Sequence, residues 1–228
     1  MPTWFITFCK VTDLLVYWTL LVPFVLAHRR RTQLTGGLVT LRFVPLFLFV
    51  IYCLMQVAIA LWQYNLPLVH LNTIGEALLY MKVYHDEFVD EKTKRSIRVI
   101  AVIFLVFAAL DSFWLEGFGR INSYTNLAES IIIISLGLLY FERTLIGRRR
   151  TQLQRVPLFV ATIGIILYLS GTVVLYLATN HFIQLNDEYN TRLMYLINSV
   201  LVLVLGLLFS RAFILVKPQP QPHTLSAR

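Results

Sequence analysis

Charge is scarce in this chain. Only 14% of its 228 residues are charged, whereas a soluble domain carries about a quarter. The charges fall between long runs that hold almost none, and the mean hydropathy is +0.69; both are the pattern of a polytopic membrane protein. Cysteine is nearly absent, with only Cys9 and Cys53. One lies near a membrane face and the other inside a span, so neither a disulfide nor a thiolate metal site is expected. The five histidines never approach metal-ligand spacing. No GxSxG, HExxH, GxGxxG or Walker-type sequence occurs, nor the His-x-x-x-His of seven-helix intramembrane hydrolases. Residues 192–216 contain no lysine that could carry a retinal. The expectation is a non-enzymatic protein without metal or cofactor. The net charge of +8 is read as membrane topology rather than nucleic-acid binding.

What is present is apolar length. A bilayer span needs about 20 residues at 1.5 Å rise each, and seven segments meet that need: 11–27, 39–62, 66–84, 97–115, 124–142, 156–179 and 192–216. The first lacks a basic leader and runs into Arg29-Arg30-Arg31, so it is expected to stay in the chain as a span. Pro45 and Pro157 fall in the first turns of spans two and six, where a missing N–H matters little. Pro23 lies inside span one and predicts a kink. The fold class is therefore all-α, one seven-helix bundle over 1–217. The tail 218–228 (PQPQPHTLSAR) is expected to be disordered and cytoplasmic. Of the 20 basic residues only Lys10, Arg120 and Arg192 lie on one side of that bundle, and the other 17 on the opposite side. By the positive-inside rule the N-terminus is outside and the C-terminus inside.

Span three is the exception among these helices, because His70, Asn72, Thr73 and Glu76 interrupt it. A midplane acid is expensive in lipid and usually faces a protein interior or a wet cavity. At 100° per residue, Asn72, Glu76, Leu79 and Val83 form one stripe flanked by Tyr80, while His70 points away from it. Span five aligns Asn126, Glu129, Ser130 and Gly137. Span six aligns Gly164, Tyr168, Gly171 and Leu175, a close-packing face with a hydroxyl on it. Asn198 stands in the first turns of span seven. Depth places these polar groups in the outer half, with Glu76 about 15 Å from the outer end, and leaves the inner half almost purely aliphatic. The expectation is an outward polar pocket lined by Asn72, Glu76, Tyr80, Asn126, Glu129, Tyr168 and Asn198. Against it stands interhelical hydrogen-bonding worth about 1 kcal/mol per group, the reading given to Ser130, Ser170, Thr172 and Ser199 and available to Asn126. Asp111, near the outer boundary, is read as solvated or pocket-facing. An acid pair in such a pocket could couple protons, hold a cation or anchor the amine of a basic ligand.

RRRTQL occurs at 29–34 and again at 148–153. Each copy precedes a Val-Pro-Leu-Phe entry into the next helix, at 44–47 and 156–159. With Asn72 set against Asn198, the chain resembles the three-plus-one-plus-three plan of the SWEET and PnuC-type transporters. That resemblance implies paired asparagines on spans three and seven touching substrate. Setting Glu76 against Glu129 gives a competing alignment of span three with span five, and the two exclude each other. Through Ile74-Gly75-Glu76, Asn122-Ser123-Tyr124, Glu129-Ser130 and Tyr168-x-Ser170-Gly171, the chain also resembles a group of uncharacterised bacterial seven-helix integral membrane proteins. What that implies is a module of the bacterial inner membrane working beside a separate histidine kinase. The leading expectation is a receptor-like sensor for a small ligand. A small-molecule transporter and a structural subunit of a membrane complex are the alternatives. Ligand identity and oligomeric state are open.

Overall fold

A computed structural model describes residues 2–147 and 152–216. The second RRRTQL copy up to Thr151, and the tail from Lys217, lie outside the described residues. Every regular element among those described is helical. Six rods are long and apolar enough to cross a membrane: Thr3–Arg29, Gly37–Trp62, Glu91–Leu115, Ser123–Ile146, Pro157–Gln184 and Glu188–Leu215. They correspond to spans one, two, four, five, six and seven. The remaining long helix, Leu66–Glu87, is span three; it has 22 residues but is more polar than the others. Its surroundings account for that polarity. Only Pro67, Leu71 and Lys82 of this helix are exposed, and His70, Thr73 and Glu76 are buried. The helix thus keeps His70, Thr73 and Glu76 inside the protein, as the cost of exposing such groups to lipid requires.

Two rods are broken, each four residues before a proline. The first divides into α1 (Thr3–Thr19) and α2 (Leu21–Arg29). Pro23 offers no N–H to the Thr19 carbonyl, and its ring crowds that carbonyl. The second rod divides into α3 (Gly37–Leu41) and α4 (Phe43–Trp62). Here the expectation for Pro45 needs correcting. The helix begins at Gly37, so Pro45 sits inside the rod and interrupts it after Leu41. Pro157 does open its helix, as its fixed φ favours.

The other elements are α5 (Leu66–Glu87), α6 (Glu91–Leu110) with a π-helical turn at Asp111–Leu115, α7 (Ser123–Gly147), α8 (Pro157–Gln184) and α9 (Glu188–Leu215). Between α5 and α6 only residues 88–90 are non-helical. Asp90 then caps α6 by accepting from the Lys92 and Thr93 amides at 3.3 and 3.1 Å, and the Thr93 hydroxyl and amide hold its carboxyl below the usual range. Neighbouring rods run α1/α2, α9, α8, α7, α5, α3/α4 and back to α1/α2, with α6 packed outside against α5 and α7. The glycine face predicted on α8 is where α9 comes closest. A methyl group on Gly171 would stand 2.4 Å from Leu201, and one on Gly164 would stand 3.1 Å from Leu208. Large apolar side chains such as Val102, Ile103 and Val106 cover the outside of the bundle.

The end with the basic loops is fastened by charge on helix termini. Arg30 donates from Nη1 to the carbonyls of Phe213, Ile214 and Val216 at 3.2, 2.6 and 2.8 Å. It thereby satisfies the orphan acceptors at the C-terminus of α9 and matches its dipole. Glu87 accepts from the Gly37 amide at 3.1 Å, at the N-terminus of α3. Asp86 accepts from Thr40 at 2.7 Å. These contacts tie α2 to α9 and α3 to α5.

Candidate ligand-binding cavity

At the opposite end, shared by the N-terminal half of α1, the C-terminal half of α4 and the first turns of α5 and α9, the bundle encloses a cavity of about 310 Å³. That is the lower end of the ~300–1,000 Å³ usual for small-molecule sites. Three predicted residues line it: Asn72 on α5, Tyr168 on α8 and Asn198 on α9. The two asparagines that the three-helix repeat would pair therefore face one space, from helices on different sides of the bundle.

Glu76, Tyr80, Asn126 and Glu129 are not among the lining residues. Glu76, Tyr80 and Glu129 group behind Tyr168, whose hydroxyl donates to Glu76 Oε2 at 3.4 Å, while Asn126 is buried in the first turn of α7. Glu76 is 2% exposed and Glu129 0%, and the two carboxyls are close enough to interact electrostatically. Tyr80 and Tyr176 each lie within electrostatic range of both. No described protein group donates to either oxygen of Glu129, nor to Asn126 Oδ1. The pocket pictured from helical stripes is thus two compartments, a cavity and a buried acid layer, with Tyr168 touching both.

Asp13 was not singled out by the sequence reading, yet it lines the cavity. Its carboxyl accepts from Ser199 on α9 at 2.8 Å, so Ser199 positions a cavity acid as well as joining two helices. Four further tyrosines, Tyr17, Tyr52, Tyr176 and Tyr195, share the lining, and the rings of Tyr17 and Tyr52 stack at 4.0 Å and 6°. The signal that could have found Asp13 is an acid three residues inside an apolar stretch, one helical turn after Lys10. An interfacial lysine close by makes such an acid look like part of the membrane boundary. Cys9 is buried in the same wall, and both cysteines are free.

The remaining predicted polar groups scatter. Ser170 is exposed and so joins no interior network, contrary to expectation. Thr172 donates to the Leu169 carbonyl of its own helix at 3.1 Å, whereas Ser130 reaches across to the Leu169 carbonyl at 3.4 Å. Asp111 is not solvated: it is 0% exposed. Its Oδ2 accepts from the amide and hydroxyl of Thr125 at 3.2 and 2.5 Å, in the first turn of α7, where negative charge is favoured. His70 belongs to this neighbourhood. Its Nε2 faces the Arg120 carbonyl at 3.1 Å and its Nδ1 faces Ser112 Oγ at 2.8 Å. A carbonyl only accepts, so Nε2 carries a proton, and Nδ1 is within hydrogen-bond distance of the Ser112 hydroxyl. Asn180 completes the fastening, donating to the Ile121 carbonyl at 2.9 Å and accepting from the Ile121 amide at 3.3 Å. The segment between α6 and α7 is held by polar contacts beside the cavity, and it supplies Ile121 to the lining.

Comparison with protein families, with curated proteins and with solved structures finds no match. The functional reading therefore rests on the residues themselves.

Proposed function

We propose that this chain is a seven-helix membrane protein, N-terminus outside, that takes a small ligand into this cavity and acts as a receptor-like sensor. α5 crosses the bilayer as the seventh span, screened from lipid by its neighbours. The observation that carries the reading is the cavity, enclosed by five helices at the end poor in basic residues, with Asn72, Tyr168 and Asn198 on its walls. The basic opposite end is where a partner would read the occupied state, and a histidine kinase is the class implied by the sequence resemblance. Tyr168 offers a route for the readout, since it contacts both cavity and acid layer.

A transporter is the second reading, favoured by Asn72 and Asn198 facing a single space as a pseudo-symmetric carrier would require. One panel separates these ideas: size-matched cationic, neutral and anionic solutes added to the purified chain and followed by thermal denaturation. At least one class should raise the melting temperature of the wild type but not of Asn198→Trp, whose larger ring occupies the cavity. A panel with no effect on the wild type contradicts the ligand reading. The sensor reading further expects binding without flux when the same solutes are offered to proteoliposomes. Accumulation that Asn198→Ala abolishes would favour the carrier.

A further inference from the structure

Resting on the ligand-binding reading above, we infer that the cavity is a site for a small organic ammonium, held by tyrosine rings and the Asp13 carboxyl. Five of the chain's 11 tyrosines line this one space. Tyrosine faces carry negative electrostatic potential and attract ammonium groups within about 6 Å of the ring. Two of the rings, Tyr17 on α1 and Tyr52 on α4, are already stacked on one another at 4.0 Å. They form a fixed aromatic wall that a ligand need not organise. Met55 and Met194 add polarisable surface for an apolar body.

Charge settles the sign of the ligand. Asp13 is the one carboxylate in the lining, and Ser199 holds its Oδ1 at 2.8 Å, which fixes where a cationic head would sit. Two basic residues also reach the cavity, and neither neutralises Asp13. Arg192 is committed to Glu188, with its Nη2 2.8 Å and its Nε 3.3 Å from Oε1. Lys10 is exposed, one turn outward on α1, and forms no ion pair with Asp13 among the described residues. Behind Tyr168 lies Glu76, a second acid one hydrogen bond from the cavity wall. An anionic ligand would meet the Asp13 carboxylate and, with Arg192 held by Glu188, would have only the exposed Lys10 at the rim as a counter-charge. A neutral polyol would be served by Gln56, Asn65, Asn72 and Asn198 but would leave the Asp13 carboxyl desolvated without a counter-charge. An ammonium satisfies the rings and the acid together.

The test uses the full chain in lipid nanodiscs and three probes on one phenyl-two-carbon skeleton: phenethylammonium, 2-phenylethanol and phenylacetate, each titrated calorimetrically. Phenethylammonium should bind and the other two should bind at least about ten-fold more weakly. Asp13→Asn keeps an acceptor for Ser199 and should weaken the ammonium by roughly ten-fold or more while leaving the melting temperature near that of the wild type. Tyr176→Phe should keep the affinity and Tyr176→Leu should lose several-fold of it, a difference that a merely polar site would not produce. The inference is overturned if the alcohol or the carboxylate binds as tightly as the ammonium, or if Asp13→Asn leaves ammonium affinity unchanged. Tight binding of the alcohol or carboxylate alone would spare the ligand-binding reading and remove the cation. Binding by none of the three overturns the ammonium assignment, and the broader solute panel then decides the ligand reading by itself.

Discussion

Asp111→Leu is expected to destabilise the protein by about 2–4 kcal/mol, the largest loss anticipated for any single exposed-to-lipid or buried polar change here. The side chain is fully buried. It accepts two hydrogen bonds from Thr125 in the first turn of α7, and charged hydrogen bonds contribute roughly 1.5–3 kcal/mol each. Against this stands Asp111 Oδ1, buried without a partner among the described residues, whose removal returns roughly 1–3 kcal/mol. The change would also free the turn that presents Asn126 and Glu129, both on α7. Urea or thermal denaturation of the purified variant measures the effect. Asp111→Asn, which keeps an acceptor for Thr125, should lose distinctly less. Equal losses for the two variants would show that the charge, not the pair of hydrogen bonds, carries the interaction.

The second large effect has the opposite sign. Glu129→Leu is expected to stabilise the protein by about 1–3 kcal/mol, because a buried polar group without a partner forfeits that much. Glu129 is 0% exposed and no described protein group donates to either of its oxygens. Leucine fills similar space beside the aliphatic core. Two acids on or capping the same helix should thus respond in opposite directions: Asp111 Oδ2 accepts two hydrogen bonds, whereas neither oxygen of Glu129 accepts one among the described residues. A destabilised Glu129→Leu would mean that the carboxyl has a stabilising partner after all. A group kept at such expense is commonly retained for activity, so the stabilised variant should also lose its response to ligand.

Much of this fold could be read in the residues before any coordinates. Apolar runs about 20 residues long have few alternatives to helix, and all seven became helices. Pro23 broke its rod because a proline removes a specific bond. Pro45 departs from its expected place in a first turn because, seven residues into a span that starts at 39, it already lies past that turn, where its missing N–H removes a helical bond. The α8 glycines were legible as a packing face because only a residue without a side chain admits Leu201 at such range. The site was legible in part. A 100° step identifies which residues share a face, and it sets Asn72 and Glu76 on one stripe of α5, of which only Asn72 lines the cavity. It does not tell what stands between two helices, and a single ring, Tyr168, divides the cavity from the acids. Asp13 and the tyrosines escaped notice because acids and tyrosines near the end of a span also suit the interface with water. Only packing separates those that face lipid headgroups from those that turn inward.

Asn72 and Asn198 border one cavity, and the proposed orientation opens it on the outer face. In a Cys9→Ser/Cys53→Ser background, Asn198→Cys should react with a membrane-impermeant maleimide applied to intact cells, while Ser210→Cys, three turns deeper on the same helix, should react only after the cells are opened. A Ser210→Cys that labels from outside while Asn198→Cys does not would contradict both the orientation and the pocket.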